Sequence, residues 1–379
     1  MTGGQALVRS LIREGVDTIF GLPGVQLDWA FDALHEHRDE IRVIHTRHEQ
    51  ATSYMAYGYA QTTGKVGVCL VVPGPGLLNA AAGLSTAYSA SSPVLCIAGQ
   101  IDTGLIGKDH GALHEIKDQI GMVASVTKWA ALASNASDVP GVVREAFDQL
   151  GSGRPRPVEI EVPPDVLMGR QEVELAEPGP VTPVEGDSNE LDRAAGLLGA
   201  AKRPIIYAGS GVITSGATGE LRVLAEMLGA PVAMSPNAKG ALSSEHPLAL
   251  TAAGGYEMVP EADVILAVGT RFSMPSWLGT SWKLGPDQKF IHLDIDKDEV
   301  GRTSTPTVGI VSDARRGLGE ITRRVSRHNT ARESQEETVQ ATRDAIGEKL
   351  GGLSPLTEYA AAIREALPRD GILIDESTQ

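Results

Sequence analysis

The sequence predicts an α/β protein: two successive doubly wound domains with mainly parallel sheets, plus the start of a third. Three observations carry this prediction. Residues 66–72 (Val-Gly-Val-Cys-Leu-Val-Val) and 94–98 (Val-Leu-Cys-Ile-Ala) are short apolar runs bounded by Gly and Pro, as parallel strands covered on both faces are. Stretches of helical length alternate with such runs, residues 77–89 being the Ala- and Leu-rich crossover between the two just named. Residues 169–187 carry repeated Glu, Pro and Gly with no apolar period and read as an interdomain linker. A chain of 379 residues is also too long for a single core.

In chain order, Leu7, Leu11 and Ile12 recur at helical spacing, while Arg9, Arg13 and Glu14 break any apolar run, so a signal peptide is not expected. Residues 44–100 hold the most informative stretch. There Arg47-His48-Glu49-Gln50 and Pro73-Gly74-Pro75-Gly76 set an acidic side chain, a tight loop and two helix N-termini beyond strand ends, where α/β sheets bind cofactors. Residues 49–61 read as a helix with Glu49 in its first turn. A carboxylate there also has a plain reason, the positive end of the helix dipole. Pro73, Gly74 and Gly76 let the backbone turn sharply and approach a bound molecule.

The first domain is placed at 1–168 and the second at 187–325. In the second, residues 191–198 read as a helix and 204–208 as a strand. Gly209-Ser210-Gly211 and a helix through Leu228 follow, with further strands at 231–233, 264–268 and 290–295. Gly209, Gly211 and Gly216 do not have dinucleotide-fingerprint spacing. The Asp294, Asp296, Asp298 series reads as a strand end and the start of a helix rather than a metal site, with Asp298 and Glu299 favouring the helix N-terminus. Residues 326–352 are charged and polar, a solvated helix and linker. The third domain is placed at 355–379, with a helix at 355–367 and its first strand at 372–374.

Lys plus Arg number 33 against 48 Asp plus Glu, a net charge of −15, which argues against nucleic acid or an anionic membrane as the main partner. Cys69 and Cys96 both fall in predicted buried strands, where a disulfide or metal framework is not expected and a reducing cytoplasm fits. No apolar run approaches the length of a membrane span, and Walker, HExxH and nucleophile-elbow motifs are absent.

Five motifs fall in a telling order: Gly21-Leu22-Pro23-Gly24, Thr46-Arg47-His48-Glu49-Gln50, Tyr57-Gly58-Tyr59-Ala60, Pro73-Gly74-Pro75-Gly76 with Asn79, and Ile97-Ala98-Gly99-Gln100. Together they resemble the pyrimidine-binding domain of thiamine diphosphate enzymes, the acetolactate synthase, benzaldehyde lyase and 2-oxoacid decarboxylase group. The resemblance runs on through Val126-Thr127-Lys128-Trp129 and residues 157–163 (Pro-Val-Glu-Ile-Glu-Val-Pro), and resumes in the second domain.

The resemblance implies that Glu49 is the activating carboxylate. Hydrogen-bonded to N1' of the aminopyrimidine, it stabilises the imino tautomer whose 4'-imine removes the thiazolium C2 proton, and the ylid then attacks a carbonyl. A glutamate held largely from water against an apolar ring would exchange a proton near neutral pH. It likewise implies that Pro23, Gly24, Gly74, Pro75, Gly76 and Asn79 shape the pyrimidine pocket and that Gln100 lines the site. His114, matching a family Gln or His, orients substrate or shuttles a proton; its plain alternative is a surface loop histidine, and His110 has no matching role. Val25 and Gln26 match positions on the substrate side, although Val25 also suits ordinary core packing.

The implied activity is acetolactate synthase-like: 2-oxoacid decarboxylation or carboligation through an enamine, on a 2-oxoacid or aldehyde, in a homodimer or homotetramer. Mg2+ and the diphosphate would be held by a Gly-Asp-Gly motif in the third domain, and no Gly-Asp-Gly occurs here; Gly186-Asp187 is followed by Ser188. An incomplete enzyme is therefore expected. Relatives use the second domain for FAD, for another nucleotide or for nothing. Arg271-Phe272-Ser273-Met274-Pro275 stands where acetolactate synthases have Arg-Phe-Asp-Asp-Arg, and Val162-Pro163-Pro164-Asp165 lacks their lysine, which points away from FAD and from true acetolactate synthesis. Two other classes stay open: a non-catalytic nucleotide-binding or assembly module, and a nicotinamide-dependent oxidoreductase using Gly209-Ser210-Gly211.

Overall fold

The first helix starts from a capping box: the Thr2 hydroxyl accepts the Gln5 amide N–H, and the Gln5 side chain accepts that of Thr2. The computed structural model that shows this describes residues 1–180, 182–273 and 283–374. The chain divides into two units, Met1–Thr182 and Pro183–Gln379, so the division falls inside the Glu-, Pro- and Gly-rich stretch.

The first unit runs α1 (Gly3–Arg13), β1 (Thr18–Gly21), α2 (Asp28–Glu36), β2 (Arg42–His45), α3 (Glu49–Thr63), β3 (Gly67–Val71), α4 (Pro75–Ala90), β4 (Val94–Gly99), α5 (Gln119–Val123), β5 (Trp129–Leu132), α6 (Val139–Gly151), β6 (Val158–Val162) and α7 (Pro164–Met168). Its six strands pair in parallel in the order β2-β1-β3-β4-β6-β5. Helices α1, α2 and α6 bury Leu7, Leu11, Leu34 and Val143 on one face, against Ile19, Leu70, Leu95 and Ile160. On the other face α3 and α4 bury Ala56, Leu77, Leu84 and Ala87 against Cys69, Val71 and Cys96. The two helices approach closely at Gly83, where a Cβ would lie 2.3 Å from Ser53 Oγ. Both cysteines are free and fully buried.

The chain steps from β1 outward to β2, then returns past β1 to β3. That reversal opens a crevice beyond the carboxyl ends of β1 and β3, the usual ligand position in such sheets.

The second unit runs α8 (Ser188–Ala200), β7 (Pro204–Ala208), α9 (Ser210–Thr214), α10 (Thr218–Leu228), β8 (Val232–Met234), β9 (Ala249–Leu250), α11 (Ala252–Met258), β10 (Val264–Val268), β11 (Lys289–Asp294), β12 (Val308–Val311), α12 (Ala314–Val325), α13 (Glu336–Gly351) and α14 (Leu356–Ala366). Its sheet is also six-stranded and parallel, in the order β12-β11-β10-β7-β8-β9. Here the loops after β7 and β10 pack directly on each other. A Cβ on Gly209 would lie 2.1 Å from the Gly269 carbonyl oxygen, and one on Gly211 2.7 Å from Gly269 Cα. Loop-on-loop packing thus accounts for the glycines of 209–211 without a nucleotide.

Several expectations change. The single helix expected before Leu228 is two, because Gly216 takes φ 64° between α9 and α10. No helix follows Asp298: the carboxylates of Asp294 and Asp296 accept the amides of Asp296 and Asp298, and these local bonds hold residues 297–300 in turns. Residues 326–352 are not wholly solvated, since α13 buries Val339 completely and its Arg343 binds the carbonyls of Ser244, His246 and Ala249. Residues 372–374 form no strand; they pair with no other strand and are 86, 61 and 90% exposed. Met274 and Pro275 lie outside the described residues. Among the described residues, no helix is long and apolar enough to cross a membrane.

Candidate active site

The crevice beyond β1 and β3 is built around one side chain. Val72, just past β3, fills with one methyl the space a Cβ on Gly24 would need, 2.3 Å away, and with the other that of Gly76, at 2.5 Å. Glycine at 24 and 76 therefore lets the loop after β1 and the first turn of α4 close onto the same valine. The Leu22 amide, donating to the Leu70 carbonyl, ties the first loop to β3.

Glu49 opens α3 on the same side. His48 precedes it as N-cap, its Nδ1 accepting the Gln50 amide, and Thr46 Oγ1 donates to the His48 carbonyl. The Glu49 side chain is half-buried, with its Cγ 3.6 Å from where a Gly76 Cβ would be. Asn79 Nδ2 donates to Glu49 Oε2 at 3.0 Å. Among the described residues nothing else binds the carboxylate, so Oε1 is open.

Gly74 stands at the loop's centre. Its φ of 55° suits glycine, and a Cβ would lie 2.2 Å from the His114 carbonyl oxygen. His114 is thereby set against the Gly-Pro loop although 40 residues away in sequence. It is half-buried, takes φ 69°, uncommon for a non-glycine residue, and its buried Nδ1 has no partner among the described residues. Glu115 holds the turn: its carboxylate accepts the Ala112 amide at 2.8 Å and lies below the usual carboxylate range because of that amide. His110 is exposed on the preceding loop.

Gln26 is buried and joins the two loops, its Nε2 donating to the Leu113 carbonyl at 3.1 Å while its Oε1 is left without a partner. Val25 is 62% exposed, so it is not a core residue. Pro23 and Pro75 are exposed and Gly24 half-buried at the rim. Gln100 faces inward instead: its Nε2 donates to Glu161 Oε2 and its Oε1 accepts the Ile101 amide, which commits both polar atoms within the domain.

These geometries meet requirements of an aminopyrimidine, a flat ring with donors and acceptors on its edge. One carboxylate oxygen is open, the Val72 side chain makes an apolar floor, and two buried polar atoms without partners, Gln26 Oε1 and His114 Nδ1, lie in the adjoining loops.

Residues 1–122 match the N-terminal TPP binding domain of thiamine pyrophosphate enzymes, and residues 191–321 match the central domain. A Pseudomonas aeruginosa protein described as "Probable 2-ketoarginine decarboxylase" is 36% identical over 394 aligned residues, covering 100% of this chain and 68% of that protein. The chain belongs to the thiamine pyrophosphate enzyme family. The acetolactate synthase of Arthrospira platensis is 38% identical over 341 residues, 86% of this chain and 58% of that protein. The acetolactate synthase isozyme 3 large subunit of Escherichia coli is 38% identical over 333 residues, 85% and 57% respectively. The chain thus spans a little over half the length of the acetolactate synthases it matches.

Three buried side chains behind this family site escaped the sequence reading. Gln119 Oε1 accepts the Gly74 amide at 2.8 Å, and its Nε2 donates to the Gly99 carbonyl at 2.9 Å. Burial pushes the Glu161 carboxyl above its usual range, partly offset by hydrogen bonds from the Gln100 and Gln119 side chains. Glu159 is wholly buried with both oxygens unpartnered, and burial pushes its carboxyl well above the usual range, with Glu161 adding to the shift. No local motif marks Gln119. For the glutamates, the one available signal was their place between two apolar strand neighbours each.

Proposed function

We propose that the crevice beyond β1 and β3 receives the aminopyrimidine of thiamine diphosphate and that the protein decarboxylates a 2-oxoacid, then releases the product or joins it to a second carbonyl. The Glu49–Asn79 pair carries this reading: an oriented carboxylate, with one oxygen open, at the switch point of a family pyrimidine-binding domain.

Thiamine diphosphate, when bound, would supply a nucleophilic carbon and an electron sink for the bonding pair that departing CO2 leaves behind. The chain's own residues do the rest. Glu49 Oε1 holds and moves a proton at the pyrimidine ring nitrogen, and Asn79 fixes the carboxylate so that Oε1 faces the ring. Gly74 and Gly76 let the loop close onto the His114 turn and onto Val72, which gives the ring an apolar surface to rest on. His114, oriented by its turn, offers its Nε2 to the substrate carbonyl, since its Nδ1 is buried. The exposed Val25 supplies apolar surface for the substrate chain. Magnesium enters the proposal only with the diphosphate, and FAD is left out because packing already explains the 209–211 loop.

Exposed Tyr54, Met55 and Leu78 on α3 and α4 are read as a contact between copies of the chain, in a homodimer or homotetramer. Decarboxylation is favoured as the first step because the Pseudomonas relative aligns along this entire chain.

Calorimetric titration with thiamine diphosphate and Mg2+, followed by product analysis with pyruvate and longer 2-oxoacids, tests the reading. Saturable binding lost in Glu49→Gln supports it. A wild-type chain that binds no thiamine compound at millimolar concentration overturns it. An aldehyde product identifies simple decarboxylation, and a 2-hydroxyketone identifies ligation.

A further inference from the structure

We propose that Gln119 is a positioning residue for the Glu49–Asn79 pair, acting through the Gly74 peptide; this rests on the proposed function for what the pair does, but not for the linkage itself. Gly74 is clamped at both ends. Its buried N–H is held by Gln119 Oε1 at 2.8 Å, and its carbonyl accepts the Leu78 amide at 2.9 Å, the first helical bond of α4. The next residue is Asn79, whose side chain holds Glu49. The path from Gln119 to the carboxylate therefore runs through one peptide, one helical hydrogen bond and one side chain.

Gln119 is itself firmly anchored. It is 3% exposed and opens α5, whose N-cap Asp118 accepts the Gly121 amide at 2.8 Å. Its Nε2 donates to the Gly99 carbonyl at the end of β4. The side chain thus ties the cofactor loop to the end of the neighbouring strand. The chemistry selects an amide. The Gly74 N–H needs an acceptor and the Gly99 carbonyl needs a donor within one planar group, and a side chain of this length offers both at every pH only as glutamine. Without it a donor at the start of α4 loses its partner, and Gly74, at φ 55°, is free to relax away from His114.

The test reads the Asn79 side-chain amide by NMR in the whole chain, with 15N-asparagine labelling and assignment by Asn79→Asp. Glu49→Ala moves this signal and calibrates its free position. In Gln119→Leu the signal is expected to shift towards that position, and Gly74 amide exchange to accelerate by about 100-fold while β3 amides stay protected. In Gln119→Glu read at about pH 5, whose buried carboxyl when protonated gives Gly74 an acceptor and Gly99 a donor, both readouts stay close to wild type. A purely structural glutamine would lower overall stability without moving Asn79, and an unchanged Asn79 signal in folded Gln119→Leu overturns the proposal. Should that variant fail to fold, Gln119→Glu decides, loss of both readouts in it overturning the acceptor role.

Thiamine titrated into the wild-type chain separates the two readings. No response at Asn79 alongside the expected Gln119 effects removes the cofactor assignment and leaves the positioning role standing.

Discussion

Asn79, on α4, donates its side-chain N–H to Glu49 Oε2 at the start of α3, 3.0 Å away and across the crevice floor that Val72 makes. Two helices that follow different strands are thereby joined at their first turns by one charge-assisted hydrogen bond. Replacing Glu49 by Gln keeps the shape and removes the exchangeable proton. If the proposed function holds, turnover with thiamine diphosphate bound should fall by about 10²–10⁴-fold, the usual contribution of a positioned acid–base group. Asn79→Ala keeps the carboxylate and loses its orientation, so a smaller loss of about 10-fold is expected, roughly one charged hydrogen bond. Thermal stability of both variants should stay near wild type, because Glu49 is half-buried and Asn79 exposed. Parallel melting curves and 2-oxoacid assays check both statements.

Gly74→Ala should be among the most damaging single substitutions in the loop. The residue takes φ 55°, and the new Cβ would meet the His114 carbonyl oxygen at 2.2 Å. Gly64→Ala is the matched control: φ is 71° but nothing lies within 4 Å. The control should cost about 1 kcal/mol, the left-handed penalty alone. Gly74→Ala adds a backbone clash that must displace the His114 turn, for a total of about 3 kcal/mol or more. Urea unfolding of the two variants side by side measures the difference, and equal costs would show that His114 yields freely.

What the sequence made legible follows from how local each cause is. The apolar run at β3 and the Ala/Leu-rich α4 announce themselves because both faces of one and the inner face of the other are buried. Glu49 and the Gly-Pro loop were visible for a related reason: their conformations are set by neighbouring residues, a helix N-terminus and a positive φ. Gln119 was not visible, because its partners are Gly74 and Gly99, far away in sequence and joined to it only by the fold. Val158–Val162 misleads more directly. Its Val-Glu-Ile-Glu-Val alternation has the signature of a strand with one face in water, yet β6 lies between β4 and β5 with Glu159 fully buried. Residues 372–374 fail in the opposite sense: three apolar residues suggest a strand, but a strand exists only where another can pair with it.

Glu159 makes a prediction about pH. Register places it in a row with Phe20, Cys69 and Cys96 across one face of the sheet, a row that gives its carboxylate no charge partner. Burial raises its folded pKa well above the usual 4.5, so the folded chain keeps a proton that the unfolded chain has already released. This contribution to stability is fully present below about pH 4.5 and is lost as pH rises through the folded pKa. Glu159→Met should therefore stabilise the protein by about 1–3 kcal/mol at pH 8, by removing an unsatisfied buried group. The gain should shrink towards pH 5, where Glu159 is protonated in the native state and closer to protonation when unfolded. Chemical denaturation at both pH values measures it, and a gain independent of pH would mean that Glu159 does not titrate on unfolding.

Arg332 is the contrasting case, a half-buried charge whose terminal nitrogens are held by several carbonyls while its Nε has no partner among the described residues. Its guanidinium donates to the Leu198 and Gly199 carbonyls, 3.2 and 2.7 Å away at the end of α8, and to Leu228 at the end of α10. A cation is thus shared by the C-termini of two helices, where the dipoles favour positive charge. It also binds Asn329 Oδ1 at 2.7 Å and the Thr330 carbonyl, which closes the 329–332 turn around the same group. Arg332→Ala removes these bonds from a charged donor, although the Leu198 carbonyl keeps the Ala201 amide and the Gly199 carbonyl keeps Thr330, and should cost about 1–2 kcal/mol. At about 2–4 °C per kcal/mol for a unit of this size, its melting temperature should drop by about 2–8 °C. Arg332→Lys should recover little of the loss, since one ammonium cannot reproduce a planar fork that reaches two helix ends at once. Full recovery by lysine would show that charge alone, rather than the fork, holds α8 and α10 together.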